Sequence, residues 1–300
     1  MFVFLPVVLF FYYVVFRGRR ICQNVWLLLS SLFFYSWGEV SFSLIMIMSI
    51  VANYVFGLFA DKYRNYKSWG KIAVGAAVVF NLSILYVFKY LCFTLESVNA
   101  LFHTSISVPG IALPLGISFF TFQGMSYVID VYRGHGEVQK NILDVGLYIA
   151  FFPQLIAGPI VRYQTVALQI KNRKETFDGF SEGMTRFLIG LSKKVLIANN
   201  MGLVADSVFA CDMTSMSALY AWLGIIAYTL QIFFDFGGYS DMAIGLGKMF
   251  GFEFLENFDY PYMSKSVSEF WRRWHISLGT WFRDYVYFPL GGSRVKSKAR

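Results

Sequence analysis

Long runs of apolar residues recur along the whole chain, and they leave few folds open. Candidate membrane-spanning runs lie at about 2–16, 21–37, 41–60, 72–93, 112–131 and 217–236. A helix needs about 20 apolar residues to cross the hydrocarbon layer, or fewer where the bilayer is thin. Only 15% of the residues are charged, and the alternating segments of about ten residues that a membrane β-barrel requires do not occur. The sequence therefore predicts an all-α, polytopic membrane helical bundle, with one membrane-embedded domain over residues 1–300.

Basic residues between the apolar runs predict the orientation of the chain. One basic cluster follows the first run (Arg17 to Arg20) and another follows the third (Lys62 to Lys71), whereas residues 94–110 contain no Lys or Arg. Cytoplasmic loops are enriched in Lys and Arg, so we expect a multi-pass protein with its N-terminus outside the cell. These loops also explain the formal charge of +8, and nucleic acid is not expected as a partner, whereas membrane lipid is.

Three stretches do not fit simple spans. In 142–160, Pro153 and Gly158-Pro159 interrupt the helix, and the charge rule favours a re-entrant segment that enters from the cytoplasm and returns to it. Residues 181–203 carry Lys193-Lys194 in mid-helix, which predicts an amphipathic or tilted element near the cytoplasmic face. Residues 237–255 are rich in glycine, which allows either close helix packing or another broken element.

The segment Phe270–Phe288 combines aromatic, basic and titratable side chains. Laid on one helix, it places His275 on an apolar face rather than a charged one. That face would consist of Trp271, Trp274, His275, Leu278, Trp281, Phe282 and Tyr285. His275 is then either a structural residue bonded to a backbone carbonyl, or a general base or proton carrier in a water-poor tunnel. A metal site is not expected, because no second His or Cys lies at ligand spacing.

Two carboxylates, Asp235 and Asp241, flank a short polar segment at the end of an apolar run. A carboxylate in the centre of a membrane helix costs about 2.5–3.5 kcal/mol on insertion scales, so each needs a partner or a proton. The expected donors are Tyr239, Ser240, Arg272 and Arg273. Two roles stay open at this point, a polar clamp between helices and a part in binding or catalysis.

Four segments resemble the membrane-bound O-acyltransferases, in the order in which that family has them. The segments are LPLGISFFTFQGMSYVIDVYRG (113–134), FFPQLIAGPIVRY (151–163), QIFFDFGGYSDMAIGLGKMFGF (231–252) and FWRRWHISLGTWFRDYVYFPLGGSR (270–294). The resemblance covers essentially the whole chain, and it is nearest to the members that acylate extracellular polymers such as alginate and teichoic acid. His275 matches the histidine of the family's Arg-Trp-His segment.

The resemblance implies a bundle with re-entrant segments and a central tunnel in the bacterial inner membrane. An acyl group, most simply acetyl, would pass from a cytoplasmic thioester donor (acetyl-CoA or an acyl carrier protein) to hydroxyls of an extracytoplasmic polysaccharide such as alginate. Extracytoplasmic acetylation partner proteins are expected, and a tightly bound cofactor is not. His275 would be catalytic, Trp271, Trp274, Leu278, Trp281 and Phe282 would line the tunnel, and Asp235, Tyr239, Ser240 and Asp241 would give buried polar support.

One departure from the family pattern concerns a second histidine. Family members carry it downstream, in a segment like Gly-Leu-Trp-His-Gly, and it is usually taken as the catalytic one. The 300 residues contain no such segment and end in a basic tail (Arg294 to Arg300). We therefore expect the N-terminal part of a longer protein, whose family C-terminal spans are missing. Two alternatives remain: a transporter or flippase, since intramembrane carboxylates and broken helices also mark conduction paths, and a non-catalytic scaffold.

Overall fold

The computed structural model describes residues 3–38, 40–155, 158–212 and 216–294. Every regular element in these ranges is helical, which confirms the all-α class. Within them, four helices are long and apolar enough to cross a membrane: Val40–Lys62, Ser68–Lys89, Phe177–Phe209 and Ala218–Met249. The protein is thus a multi-pass membrane protein. Phe2 of the first candidate span, residues 156–157 of the predicted re-entrant segment and the basic tail from 295 onwards lie outside the described residues.

The chain forms two compact units. The first comprises Met1–Ile156 and Ile160–Asn172, and the second comprises Ala157–Pro159 and Arg173–Arg300. The helices of the first unit are α1 (Phe4–Phe10, continued by the π-helical turn Phe11–Val15), α2 (Arg20–Gly38), α3 (Val40–Lys62), α4 (Lys67–Lys89), α5 (Leu91–Phe102), α6 (Ile117–Arg133), α7 (Ile142–Ala150), α8 (Phe152–Leu155), α9 (Tyr163–Val166) and α10 (Gln169–Asn172). Those of the second are α11 (Phe177–Ser192), α12 (Asn199–Phe209), α13 (Ala218–Met249), α14 (Val267–Arg273) and α15 (Ile276–Phe282).

In the first unit, a buried pair of asparagines joins α3 to α4. The side-chain amides of Asn53 and Asn81 bond to each other, Nδ2 to Oδ1, at 2.8 and 3.2 Å, and both residues are fully buried. Gly124 of α6 lies against this pair, because a Cβ there would come within 2.5 Å of Asn53 Nδ2. Polar side chains in an apolar layer are stabilised when they bond to each other across helices. The pair therefore fixes how α3, α4 and α6 meet.

Residues 142–155 form two short helices, as the prediction of an interrupted segment requires. α7 ends at Ala150, and the backbone at Phe151 leaves the helical region (φ −56°, ψ 112°) just before the Phe152-Pro153 pair. Proline disrupts the interior of a helix but is tolerated in its first turn, so a new helix that begins at Phe152 accommodates Pro153. The freed backbone N–H of Phe152 donates to Ser31 Oγ at 3.1 Å, so the buried interruption keeps a hydrogen-bond partner. Its re-entrant path through a bilayer stays a prediction.

The second unit is built on two long antiparallel helices. One runs over 33 residues, from α11 through the π-helical turn Lys193–Ala198 to the end of α12, and α13 has 32 residues. Glycines face each other at two levels: a Cβ at Gly183 would lie 2.6 Å from the Gly245 carbonyl oxygen, and one at Gly190 would lie 2.5 Å from that of Gly238. Such contacts between small residues let two membrane helices approach backbone to backbone.

This pair of helices bears on two predictions from the sequence. α13 runs unbroken to Met249, so close packing is the correct alternative for the glycine-rich stretch down to that residue, and a broken element is wrong there. The stretch predicted as an amphipathic or tilted element near the cytoplasmic face, 181–203, lies inside a helix with the length and mean hydropathy of a membrane span. The Lys193-Lys194 pair led to that prediction, and the partners of both lysines are described below.

Candidate functional site

The segment Phe270–Phe288 is two helices and not one, so the prediction of a single apolar face is wrong. α14 ends at Arg273, Trp274 is extended (φ −100°, ψ 128°), and His275 adopts the left-handed conformation (φ 46°, ψ 52°) before α15 begins at Ile276. Few residues other than glycine adopt positive φ, and they tend to occur at functional or strained positions. The break turns His275 away from the face that a continuous helix would have given it.

Asn257 holds the break in place. Its backbone oxygen accepts the N–H of Ile276 at 3.0 Å, and its side-chain Oδ1 accepts from Ser277 N at 3.2 Å and from Ser277 Oγ at 2.8 Å. Two residues further on, the N–H of Asp259 donates to the Arg273 carbonyl at 2.9 Å. Asn257 is fully buried. These bonds satisfy the backbone groups that the interrupted helix exposes, and so stabilise the left-handed conformation of His275.

The same oxygen fixes the tautomer of the histidine. Oδ1 of Asn257 lies 3.2 Å from Nδ1 of His275. Because the Ser277 N–H can only donate, the Asn257 atom that faces it is the oxygen, and Nδ1 of His275 must then carry its proton toward that oxygen. Nε2 is left as an acceptor, which is the form that a general base requires. Burial lowers the pKa of His275 to about 4, so the neutral ring predominates at neutral pH.

Phe236 of α13 is the aromatic ring that packs against His275, at 4.8 Å between centroids and an interplanar angle of 89°. Trp274 lies in the same aromatic cluster, 5.0 Å from Phe258 and 5.5 Å from Phe270. The other predicted wall residues lie elsewhere in α14 and α15. Trp271 and Phe282 are 60% and 45% exposed, Leu278 is half-buried, and Trp281 is buried with its ring 5.2 Å from that of Tyr285.

Asp241 sits at the centre of a cluster of charges between the two long helices. Its Oδ1 accepts from Arg186 (Nη2 at 2.8 Å, Nε at 3.1 Å), and its Oδ2 accepts from Lys193 at 2.7 Å. Arg186 also forms a two-point ion pair with Glu256. Asp235 pairs with Lys194. The two carboxylates of α13 thus offset the cost of placing two lysines in mid-helix.

The expected partners of these carboxylates were wrong. Arg273 bonds instead to Glu269, at 2.9 Å, and Arg272 Nε donates to the Ser268 carbonyl at 3.2 Å. Both belong to α14, where they stabilise the end of that helix. Tyr239 is half-buried, and Ser240 is buried with no hydrogen-bond partner for its Oγ within the described part of the chain.

A cavity of about 530 Å³ lies next to the charge cluster in the second unit. Its lining combines charged and aromatic side chains, and the residues on either side of Asn257 contribute to it. It is lined by Arg186, Lys193, Phe233, Phe234, Gly237, Ser240, Asp241, Glu256, Phe258, Asp259, Tyr260 and Ile276. His275 does not reach this lining, but its neighbour Ile276 does, as does Phe258 next to Asn257. The cavity has the volume of a small-molecule site. No cluster of three metal-ligating side chains occurs among residues that the structure describes.

The sequence prediction missed Asn257, Ser277 and Arg186. Asn257 and Ser277 are polar residues close to an aromatic segment, but nothing in their spacing indicates that they meet, because they are 20 residues apart. Arg186 could have been found from its place in the sequence. It is a charged residue of a predicted membrane-proximal helix, and a charge within the membrane requires a partner of opposite sign.

Comparison with known proteins gives a consistent pattern. The family model described as MBOAT, membrane-bound O-acyltransferase family, matches residues 32–300. A probable alginate O-acetylase of Pseudomonas syringae is 47% identical over 98% of this chain and 57% of its own length. A peptidoglycan O-acetyltransferase of Helicobacter pylori is 35% identical over 98% of this chain and 61% of its own. A teichoic acid D-alanyltransferase of Bacillus subtilis is 32% identical over 61% of this chain and 47% of its own. The chain therefore matches only about half of the length of these relatives, between 47% and 61%.

Proposed function

The chain belongs to the membrane-bound O-acyltransferase family, and on that premise we propose that it is part of an enzyme that transfers an acyl group, most simply acetyl, to hydroxyls of an exopolysaccharide such as alginate. Three relatives named for acyl transfer to cell-surface polymers support the acceptor class. The donor in this proposal is a cytoplasmic thioester, either acetyl-CoA or an acyl carrier protein. The protein lies in the bacterial cytoplasmic membrane with its N-terminus outside, and works with extracytoplasmic partner proteins.

The observation that carries the proposal is the hydrogen bond between Asn257 and His275. Transfer to a hydroxyl requires a base that takes the hydroxyl proton as the oxygen attacks the thioester carbon. The C–O bond forms, the C–S bond breaks, and the thiolate leaves and is protonated. With Nδ1 held by Asn257, the free Nε2 of His275 is the atom that receives the hydroxyl proton. A lowered pKa keeps it unprotonated before the reaction.

Two histidines of the chain allow a matched test. His275 and His103 both have positive φ, 46° and 51°, and asparagine tolerates this conformation better than most residues. The protein is expressed from its own coding sequence, with any codons beyond 300, in a bacterium that makes unacetylated alginate. Transfer from labelled acetyl donor to polysaccharide is then measured for wild type, His275→Asn and His103→Asn.

Loss of a general base reduces transfer by about 10²–10⁴-fold. We expect that loss in His275→Asn and wild-type transfer in His103→Asn. Equal transfer in both variants would remove His275 from the mechanism. Flux of a solute across vesicles containing the wild-type protein, with no label on any polymer, would favour a transporter instead.

A further inference from the structure

A second cavity, of about 720 Å³, lies in the first unit, remote in sequence from His275. It is bounded by the end of α3, by the turn that follows α6 and by α9 and α10. The charged residues of its lining are Asp61, Arg64, Glu137, Lys140 and Lys171, and amides are supplied by Gln139, Gln164 and Asn172. A polar cavity at the ends of membrane helices lies at the depth of lipid headgroups.

The charged side chains of this cavity have no partners among the residues that the structure describes. Arg64, Lys140 and Lys171 are exposed, and none makes a side-chain hydrogen bond or ion pair with any residue that the structure describes. The same holds for the carboxylates of Asp61 and Glu137 within the described ranges. In the second unit, by contrast, Arg186, Lys193 and Lys194 are each paired with a carboxylate. Both signs of charge therefore remain available to a ligand in this cavity.

The floor of the cavity is closely packed. Gly134 has φ +75°, and a Cβ on it would lie 3.1 Å from Arg64 Nη1, so the guanidinium rests against a bare backbone. A Cβ at Gly136 would strike the ring of Tyr163 at 2.7 Å. Gln139 is buried and donates from Nε2 to Tyr163 Oη at 2.8 Å, while its Oε1 has no hydrogen-bond partner among the described residues. The cavity is thus preformed, with an unused acceptor in its wall.

Arg64 follows α3 in the basic cluster that the charge rule places on the cytoplasmic side. Basic pockets between membrane helices on that side bind phospholipid headgroups. A ligand with only negative charge would be repelled by the carboxylates of Asp61 and Glu137. A headgroup that carries a phosphate and a primary ammonium satisfies both sets of charges.

We propose that this cavity binds the headgroup of a phospholipid of the ethanolamine type. Arg64, Lys140 and Lys171 bind its phosphate, and Asp61 and Glu137 bind its ammonium group. The shared chemistry of phosphate and ammonium also occurs in soluble phosphoethanolamine compounds, so the test separates the two sources. This site is independent of acyl transfer, and its test requires no activity.

The chain is purified in detergent, and its retention of added phosphatidylethanolamine or phosphatidylglycerol is measured by native mass spectrometry. We expect phosphatidylethanolamine to be retained more strongly. Arg64→Ala and Lys171→Ala should each weaken its binding about fivefold, the effect of one cation at a membrane surface. Lys62→Ala is the matched control, because Lys62 is exposed beside Asp61 but does not line the cavity.

The double change Asp61→Asn with Glu137→Gln should remove the preference for the ethanolamine lipid while it preserves phosphate binding. Equal retention of the two lipids by wild type would overturn the proposal, as would equal losses in Arg64→Ala and Lys62→Ala. Competition by soluble glycerophosphoethanolamine at the same concentration as the lipid would overturn the assignment to a membrane lipid. Melting temperatures in the same detergent show whether each variant is folded.

Discussion

Oδ1 of Asn257 lies 3.2 Å from Nδ1 of His275 and accepts hydrogen bonds from Ser277 as well. One buried amide thus supports both the backbone break at His275 and the orientation of its ring. Nδ2 of the same amide is buried and has no hydrogen-bond partner in the described part of the protein. The stabilising contribution of Asn257 therefore comes from its oxygen, and this can be tested by substitution.

Asn257→Ala should destabilise the protein by about 1–3 kcal/mol, because two donors of Ser277 lose their buried acceptor. It should also release the His275 ring into a mixture of tautomers. Nitrogen chemical shifts of labelled histidine measure this directly. Ser277→Ala is the control, because it preserves the contact between Asn257 and His275. Unchanged nitrogen shifts in Asn257→Ala would show that Asn257 does not set the tautomer.

The stability of the protein should decrease in acid because of His275. Its pKa is about 4 in the folded protein and about 6.5 in an unfolded chain, so the unfolded state binds a proton between these values and the folded state does not. Stability is therefore fully present above pH 6.5 and decreases by about 3 kcal/mol as the pH falls to 4. Thermal melts against pH, with and without His275→Asn, measure this slope.

Phe236→Ala provides the complementary measurement. Removing the ring that packs at 4.8 Å admits water to His275, and its pKa should rise toward the ordinary value. The His275 resonance is identified as the one that is missing from the spectrum of His275→Asn. If it titrates at the same pH in wild type and in Phe236→Ala, burial by Phe236 is not the cause of the lowered pKa.

Asp241→Ala should be more harmful than Asp235→Ala. The side chain of Asp241 is 16% exposed and pairs with two cations, whereas that of Asp235 is 45% exposed and pairs with one. Removing the first leaves Lys193 unpaired and Arg186 with Glu256 alone, at a cost of about 2–4 kcal/mol, whereas removing the second should cost about 1 kcal/mol or less. Reversible unfolding in bicelles measures both. Equal losses would contradict the central position of Asp241.

Gly190→Ala should separate the two long helices. The added methyl group would lie 2.5 Å from the Gly238 carbonyl oxygen, and the backbone cannot move away without breaking other contacts. The expected cost is about 1–3 kcal/mol. Gly75→Ala is the matched control, because a Cβ there meets no atom within 4 Å, and alanine is the better helix former by about 1 kcal/mol. Equal stability of the two variants would disprove close packing at Gly190.

The sequence predicted those parts of the fold that depend on local composition. α3 and α4 were expected because an uninterrupted apolar run of the length of a bilayer has few alternatives to a helix. The interruption near Pro153 was expected for the same kind of reason, since proline acts on its immediate neighbours. In each case the cause lies within a few residues of its effect.

Other features of the fold and of the site depend on contacts between residues that are far apart in the sequence. No local sequence pattern predicts such contacts. Lys193 and Lys194 led to an interfacial prediction, but their partners lie 48 and 41 residues away in the sequence. The helix is interrupted at His275 although neither glycine nor proline adjoins it. The cause is Asn257, 18 residues earlier, whose backbone oxygen accepts a hydrogen bond from the N–H of Ile276, the residue after His275. His275 was therefore identified from the sequence, whereas Asn257, whose side-chain amide orients the His275 ring, was not.

The ion pairs and the glycine contacts of the two long helices together prevent either helix from sliding. A slip of one helical turn, about 5.4 Å, would pull Lys193 off Asp241 and bring side chains against the backbone where Gly190 and Gly238 now meet. We therefore expect neither helix to slide along the other. Any change in the shape of the adjoining cavity would therefore have to come from its non-helical wall, the stretch from Glu256 to Tyr260.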